Sequence, residues 1–131
     1  MFTTCNMKYN SDILRRLHHE LHDITREVVR VCNEADIPYF IQGGTAIGAH
    51  FFEDIVPWDD DIDLVMLRED YEKLLEVADR EFSHPYFFQT MYNDKKLFRA
   101  HAQLRNSETT GYMPNEENRP YNKGIFIDIF P

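Results

Sequence analysis

The N-terminal quarter of the chain carries one apolar stripe at helical spacing. Its members recur every three or four positions: Leu14, Leu17, Leu21, Ile24, Val28, Val31 and Ala35. This spacing puts them on one helix face and predicts a helix over 11–36, which Asn10 or Ser11 can cap. Pro38 ends the helix, because the residue before a proline avoids helical backbone angles.

Shorter apolar and alternating runs follow, and they predict strands and helices in mixed order. The predicted strands cover 39–42, 61–66, 86–90, 98–104 and 124–130, and the predicted helices cover 45–52 and 68–82. Residues 106–123 are rich in Asn, Glu, Pro and Gly, which indicates a mobile loop. The order α-β-α-β-α-β-β-loop-β is typical of a mixed α/β domain, with an N-terminal helix and a catalytic core over 38–131.

Composition and charge narrow the class of protein. The chain has 131 residues, 43% of them hydrophobic and 28% charged, which fits a single globular domain over 1–131. Its net charge of −9 disfavours nonspecific binding to nucleic acid, because phosphates repel an acidic surface. No apolar run approaches the roughly 20 residues that span a bilayer, and residues 1–10 lack a signal-peptide pattern, so a cytoplasmic location is expected.

Neither the cysteines nor the clustered histidines indicate a metal site. Cys5 and Cys32 lack metal-ligand spacing and are interpreted as reduced thiols. His18 and His22 are four residues apart on the first predicted helix, but no third ligand is near them in the sequence. They are interpreted as solvated surface residues.

Four aspartates occupy five positions at the start of the second predicted strand, in Asp59-Asp60-Asp61-Ile62-Asp63. Alternate residues of a strand share a face, so Asp59, Asp61 and Asp63 can point one way while Ile62 points into the core. A solvated acidic loop explains Asp59 and Asp60 equally well. It explains Asp63 poorly, because a buried unpaired carboxylate is costly and a hard divalent cation removes that cost.

A second acid, Asp128, is also flanked by apolar residues, in Ile-Phe-Ile-Asp-Ile-Phe at 125–130. If its strand lies beside the aspartate strand, Asp61, Asp63 and Asp128 converge on one cleft. Three such carboxylates can hold two metal ions in the arrangement that suits phosphoryl transfer. The sequence itself does not say which strands pair.

Gly43-Gly44-Thr45 lies at the junction of a predicted strand and a predicted helix. Glycine lets the backbone approach a ligand closely, and a helix N-terminus offers free N–H groups to a phosphate. The same three residues also fit a plain tight turn.

An ordered series of motifs resembles the LicD/fukutin family within the nucleotidyltransferase superfamily. The series consists of Gly-Gly-Thr-Ala-Ile-Gly-Ala at 43–49, Val-Pro-Trp-Asp-Asp-Asp-Ile-Asp at 56–63, Arg-Glu-Asp-Tyr at 68–71, Leu-Arg-Asn at 104–106 with Thr-Thr at 109–110, and Ile-Asp-Ile-Phe-Pro at 127–131. The resemblance covers about residues 20–131. It implies a nucleotidyltransferase-like mixed sheet flanked by helices.

The resemblance also implies an activity. Members transfer a phospho-alcohol group, such as phosphocholine, from a CDP-activated donor to a hydroxyl of a cell-surface glycan: lipopolysaccharide, teichoic acid or capsule. By position, Asp61 and Asp63 are expected to be the metal pair and Asp128 the third acid, holding two Mg²⁺ or Mn²⁺ ions, with Asp128 also accepting the proton of the attacking hydroxyl.

Five further residues are predicted to bind substrate. Gly43, Gly44 and Thr45 are expected to hold the phosphates. Arg68 and Arg105 are candidates for stabilising phosphate charge, although each fits a surface ion pair equally well.

Several aromatic residues and His50 are less clearly assigned. Trp58 is interpreted as a core residue. Tyr112 and Tyr121 of the predicted loop can meet a nucleotide or a choline group. His50 follows the glycine turn where many relatives carry arginine, and packing is favoured over phosphate binding.

Two other functions fit the same motifs. One is a nucleotidyltransferase that acts on a small acceptor, and the other is a non-catalytic remnant that binds nucleotide and metal. Family members continue beyond the Ile-Asp-Ile-Phe-Pro string, so the resemblance implies a domain truncated at its C-terminus.

Overall fold

A computed structural model describes residues 11–131, and within that range the predicted order of elements is confirmed. The elements are α1 Ser11–Glu34, β1 Phe40–Ile41, α2 Gly43–Phe52, β2 Asp63–Val65, α3 Arg68–Glu81, β3 Tyr86–Gln89, β4 Ala102–Asn106, a 3₁₀ turn Pro114–Glu116, and β5 Ile125–Phe130. Cys5 and the candidate cap Asn10 lie outside the described residues. Ser11 is already helical.

The five strands form one mixed sheet in the order β1-β2-β5-β4-β3. The β2–β5 pair is parallel, and the other three pairs are antiparallel. The strongly apolar strand β5 therefore lies at the centre, where both of its edges are paired. This confirms a mixed α/β fold with helices against the sheet.

One face of the sheet forms the hydrophobic core against α1 and α3. The fully buried side chains that share this core include Leu21, Ile24 and Val28 of α1, Leu74 of α3, and Leu64, Leu104, Ile127 and Ile129 of the sheet. Because side chains alternate along a strand, the neighbouring residues Asp63, Gln103 and Asp128 must point to the opposite face. The apolar core thus aims these polar side chains at the other side of the sheet.

The fourth strand is displaced from its predicted position. It was expected at 98–104, but β4 covers Ala102–Asn106, and Phe98 is 62% exposed. The strand continues through Arg105 and Asn106 because these residues pair with β3 and β5. Polar residues in a buried strand run against the hydrophobic pattern, which explains the error.

The segment 106–123, for which the composition predicts a mobile loop, is anchored to the molecule by two buried side chains. Glu116 is 1% exposed and Tyr121 is 6% exposed. Arg99 Nη2 donates to Glu116 Oε1 at 2.6 Å, and Gln89 Nε2 donates to the Asn122 carbonyl at 3.2 Å. Polar anchors of this kind have no hydrophobic signature in the sequence.

Trp58 and His50 are both exposed at the surface. Trp58 is 64% exposed, so its interpretation as a core residue is wrong; its ring meets Phe52 edge-on at 5.7 Å between centroids. His50 is exposed and contacts the Phe51 ring at 4.6 Å. Among residues 11–131, no helix is long and apolar enough to cross a membrane.

Candidate active site

Asp63 and Asp128 are direct neighbours on the parallel strands β2 and β5. They are register partners, and the Asp128 N–H donates to the Ile62 carbonyl at 3.1 Å. Adjacent strands lie about 4.8 Å apart, so the two carboxyl groups project side by side from the same face. The strand adjacency on which convergence of the acids depends is therefore present. Asp61 precedes Asp63 by two residues.

Burial and mutual repulsion raise the proton affinity of these acids. Burial, followed by the charges of Asp59 and Asp63, raises the pKa of Asp61 to about 6 from 3.8. Burial and then the charge of Asp128 raise the pKa of Asp63, while His101 opposes the shift. Asp128 also repels Asp61. The cluster is thus costly in its fully charged form, and a bound cation relieves that cost.

The glycine turn lies directly against the aspartates. Gly43 has a φ of +57°, in the left-handed region that favours glycine. A Cβ atom on Gly44 would lie 2.6 Å from Asp59 Oδ2, so only glycine fits there without a shift. Thr45 Oγ1 accepts a hydrogen bond from the Asp63 N–H at 2.9 Å. The first residues of α2 therefore bring free N–H groups of a helix N-terminus close to the acids, a geometry suited to phosphate.

Two site residues were missed from the sequence, and both bind Asp128. Gln103 Nε2 donates to Asp128 Oδ1 at 2.7 Å, and His101 Nε2 lies 2.8 Å from the same oxygen. The His101 ring also packs on Phe130, with 4.3 Å between centroids. The available signal was alternation in His101-Ala-Gln-Leu-Arg105, where Ala102 and Leu104 face the core and the polar residues lie on the opposite side of the sheet, the side of Asp128.

The two candidate arginines lie in different places. Arg68 is exposed at the start of α3, beyond the far end of β2, and its guanidinium lies over the Tyr71 ring. The structure does not bring it to the aspartates. Arg105 is fully buried and donates to Gln89 Oε1, Gln103 Oε1 and the Gly124 carbonyl, so its reading as a surface ion pair is wrong.

His18 and His22 hold the aspartate loop against α1. His18 Nε2 lies 2.7 Å from the Asp59 carbonyl oxygen, and His22 Nε2 lies 2.7 Å from Asp54 Oδ1. The His22 side chain is 39% exposed, as expected of a solvated surface residue, whereas His18 is partly buried and differs from that expectation. Their contacts position the segment that enters β2.

The donor atoms of the site fit a hard divalent cation. Asp59, Asp60 and Asp61 each offer a carboxylate oxygen, and these oxygens lie within 4.8 Å of one another. Asp63 and Asp128 lie on the paired strands and are not part of this group of oxygens. An all-oxygen anionic set is what Mg²⁺ and Mn²⁺ prefer. The tightest trio thus differs from the predicted one and shares only Asp61 with it.

A cavity of about 510 Å³ opens beside the acids. Asp61 and Asp128 line one part of it, and Leu17, Tyr112 and Phe126 give it an apolar wall. Tyr112 therefore lines a cavity in which it can meet a nucleotide or a choline group. The other candidate for this contact, Tyr121, is buried. This size is within the range of small-ligand sites, about 300–1,000 Å³.

In a comparison with known protein families, residues 36–131 match the model of a nucleotidyltransferase domain. The matching model is that of LicD/FKTN/FKRP, and because it covers more than half of the chain, the protein belongs to this family.

The similar curated proteins are transferases by name. The lipopolysaccharide cholinephosphotransferase LicD of Haemophilus influenzae is 38% identical over 60 residues, which are 46% of this chain and 23% of that protein. The ribitol 5-phosphate transferases FKRP of Mus musculus and Homo sapiens are 42% identical over 50 residues, which are 38% of this chain and 10% of those proteins. The chain thus spans less than a quarter of the relatives that it matches.

Proposed function

We propose that this domain transfers a phospho-alcohol group, such as phosphocholine or a polyol phosphate, from a CDP-activated donor to a hydroxyl of a cell-surface glycan. The observation that carries the proposal is the register pairing of Asp63 with Asp128 beside the glycine turn. The names of the relatives, a cholinephosphotransferase and ribitol phosphate transferases, support the substrate class.

The chain's own residues account for donor binding. Gly43, Gly44 and Thr45 are proposed to hold the donor phosphates at the N-terminus of α2. Asp61, Asp63 and Asp128 are proposed to hold Mg²⁺ or Mn²⁺. The chemistry that such an ion supplies is neutralisation of charge on the phosphates and on the leaving group.

Arg99 supplies positive charge to the cavity. Its Nη2 atom binds Glu116, while its buried Nε atom has no hydrogen-bond partner among the described residues. Arg99 lines the same cavity as Asp61 and Asp128. The Arg99 side chain keeps 21% of its surface exposed, and its positive charge is proposed to attract an anionic donor to this cavity.

The proposed transfer balances as a single displacement. The acceptor hydroxyl oxygen forms a bond to the phosphorus that carries the alcohol, and the bond from that phosphorus to the bridging oxygen breaks, so that CMP leaves. The hydroxyl proton passes to Asp128, which lies beside Asp63 at the proposed phosphate position. This role for Asp128 stays a prediction.

The test is incubation of the protein with CDP-choline, CDP-ribitol or CDP-glycerol, Mn²⁺ and glycan acceptors, followed by mass analysis. Release of CMP with a phospho-alcohol on the glycan supports the proposal, and Asp63→Asn is expected to fold and lose this turnover. Full activity of that variant contradicts the proposed role of the aspartates. Incorporation of the nucleotide itself from CTP indicates the alternative nucleotidyltransferase, and binding without turnover indicates the remnant.

A further inference from the structure

A row of polar side chains crosses four strands on the face that carries the acids. Asp63 pairs with Asp128, Asp128 with Gln103, and Gln103 with Gln89. Gln103 and Gln89 are fully buried, and so is Arg105, which lies between them. Buried amides and a buried guanidinium cost free energy unless every group is paired, and apolar residues of similar volume often stabilise such positions equally well. Stability alone therefore does not explain this row.

Arg105 determines which way the Gln103 amide faces. A guanidinium only donates hydrogen bonds, so the Gln103 atom that lies 2.6 Å from Arg105 Nη2 is its carbonyl oxygen, Oε1. The NH₂ group must then point to Asp128, where it donates at 2.7 Å. A flipped amide would set its NH₂ group against Arg105 and its oxygen against the carboxylate.

Arg105 itself is held from three sides. Its Nε donates to Gln89 Oε1 at 2.6 Å, its Nη1 donates to the Gly124 carbonyl at 2.7 Å, and its face packs on Phe126 with 4.3 Å to the ring centroid. These contacts restrict the guanidinium to one position, and its hydrogen bond to Gln103 restricts the Gln103 amide in turn.

The fixed amide orients the Asp128 carboxylate. Gln103 and His101 both bind Oδ1, which leaves Oδ2 to meet a ligand. Residues that hold a metal ligand in one orientation affect metal affinity or activity about 10–100-fold when they are removed.

We propose that Gln103, held by Arg105, is a positioning residue that aims Asp128 at the divalent cation. The inference rests on the proposed function, because it assumes that Asp128 is a cation ligand. It also reassigns Arg105, which acts through Gln103 and makes no contact with phosphate.

The experiment measures Mn²⁺ affinity of the purified protein by electron paramagnetic resonance, together with thermal unfolding. Gln103→Met removes the donor at similar volume and is expected to raise the Mn²⁺ dissociation constant about tenfold. Thr90→Val is the matched control: it also removes a buried polar group at similar volume, but the Thr90 hydroxyl bonds with Asn93 and Tyr92 and is no part of the Arg105–Gln103–Asp128 chain of contacts. It is expected to lower stability similarly and to leave the Mn²⁺ dissociation constant within about twofold of the wild-type value.

Equal Mn²⁺ affinities for Gln103→Met and Thr90→Val overturn the positioning role. If Gln103→Met does not fold, Arg105→Lys replaces it, because lysine keeps the charge but cannot bridge Gln89, Gln103 and Gly124 together; unchanged Mn²⁺ affinity in that variant also overturns the proposal. Asp63→Asn separates the two proposals. Loss of Mn²⁺ binding in Asp63→Asn with no effect of Gln103→Met contradicts only the positioning role, whereas absence of Mn²⁺ binding by the wild type contradicts both.

Discussion

Removing one of the paired carboxylates is expected to stabilise the metal-free protein. Asp63 and Asp128 project side by side from β2 and β5. The charge of Asp128 makes ionisation of Asp63 less favourable, and both charges make ionisation of Asp61 less favourable. Asp63→Asn keeps the size of the side chain and removes its charge. Since the Asp63 backbone N–H still donates to Thr45, the turn contact is retained.

The size of the effect follows from the strand spacing. Two charges about 5 Å apart repel by about 3 kcal/mol at an effective dielectric of 20. Both carboxyl groups are partly exposed, so solvent screening reduces this to about 1–2 kcal/mol. For a chain of this length, that corresponds to a rise in Tm of about 4–8 °C.

The assay is thermal unfolding with EDTA and again with saturating Mn²⁺. Without metal, Asp63→Asn is expected to melt above the wild type. A ligand at 100 times its dissociation constant stabilises by about 2.7 kcal/mol, so Mn²⁺ is expected to raise the wild type and to leave the variant nearly unchanged. The order of the two melting temperatures then reverses.

Asp79→Asn is the control, because Asp79 is an exposed aspartate on α3 away from the paired strands. It is expected to have the melting temperature of the wild type both in EDTA and in saturating Mn²⁺. An Asp63→Asn variant that melts below the wild type in EDTA, with Asp79→Asn unchanged, would refute the argument from crowded charges.

Three further predictions concern pH, the turn and the core. The pKa of Asp61 is about 6 in the folded protein and 3.8 in the unfolded chain, so the folded state binds more protons between these two pH values. The unfolding free energy of the metal-free protein should therefore fall as pH rises from about 4 to 6. A rise of this free energy in urea titrations would contradict the prediction. Gly44→Ala places a Cβ 2.6 Å from Asp59 Oδ2, which must then move, and should weaken Mn²⁺ binding measured by calorimetry. Unchanged affinity would show that the Asp59 side chain moves without cost to the site. Leu104→Ala, at a fully buried position, should cost about 2–5 kcal/mol in urea unfolding, and a loss below 1 kcal/mol would argue against the described core.

Much of the fold was predictable because its core follows simple periodicities. The stripe from Leu14 to Ala35 has the period of a helix and forms α1 almost as predicted. The alternation around Asp63 and Asp128 separates core residues from polar ones, and the apolar neighbours determine which side each carboxyl faces. Period and polarity therefore sufficed to single out the two acids.

The rest depended on contacts that no local pattern encodes. Gln103 and Arg105 alternate with core residues, which indicates solvent-facing positions, yet both are buried. Arg105 binds the Gly124 carbonyl, and the register sets Gln103 beside Asp128, so both depend on contacts between distant parts of the chain. His101 is likewise recognisable as a site residue only once Asp128 lies next to it.

The most direct test of the cation site is the position of Mn²⁺ in a crystal of this protein, located by anomalous scattering. We predict a peak within about 2.0–2.6 Å of carboxylate oxygens from both Asp63 and Asp128, with Asp61 as a further ligand. A peak bound only by Asp59, Asp60 and Asp61, or the absence of any peak at saturating Mn²⁺, would contradict it.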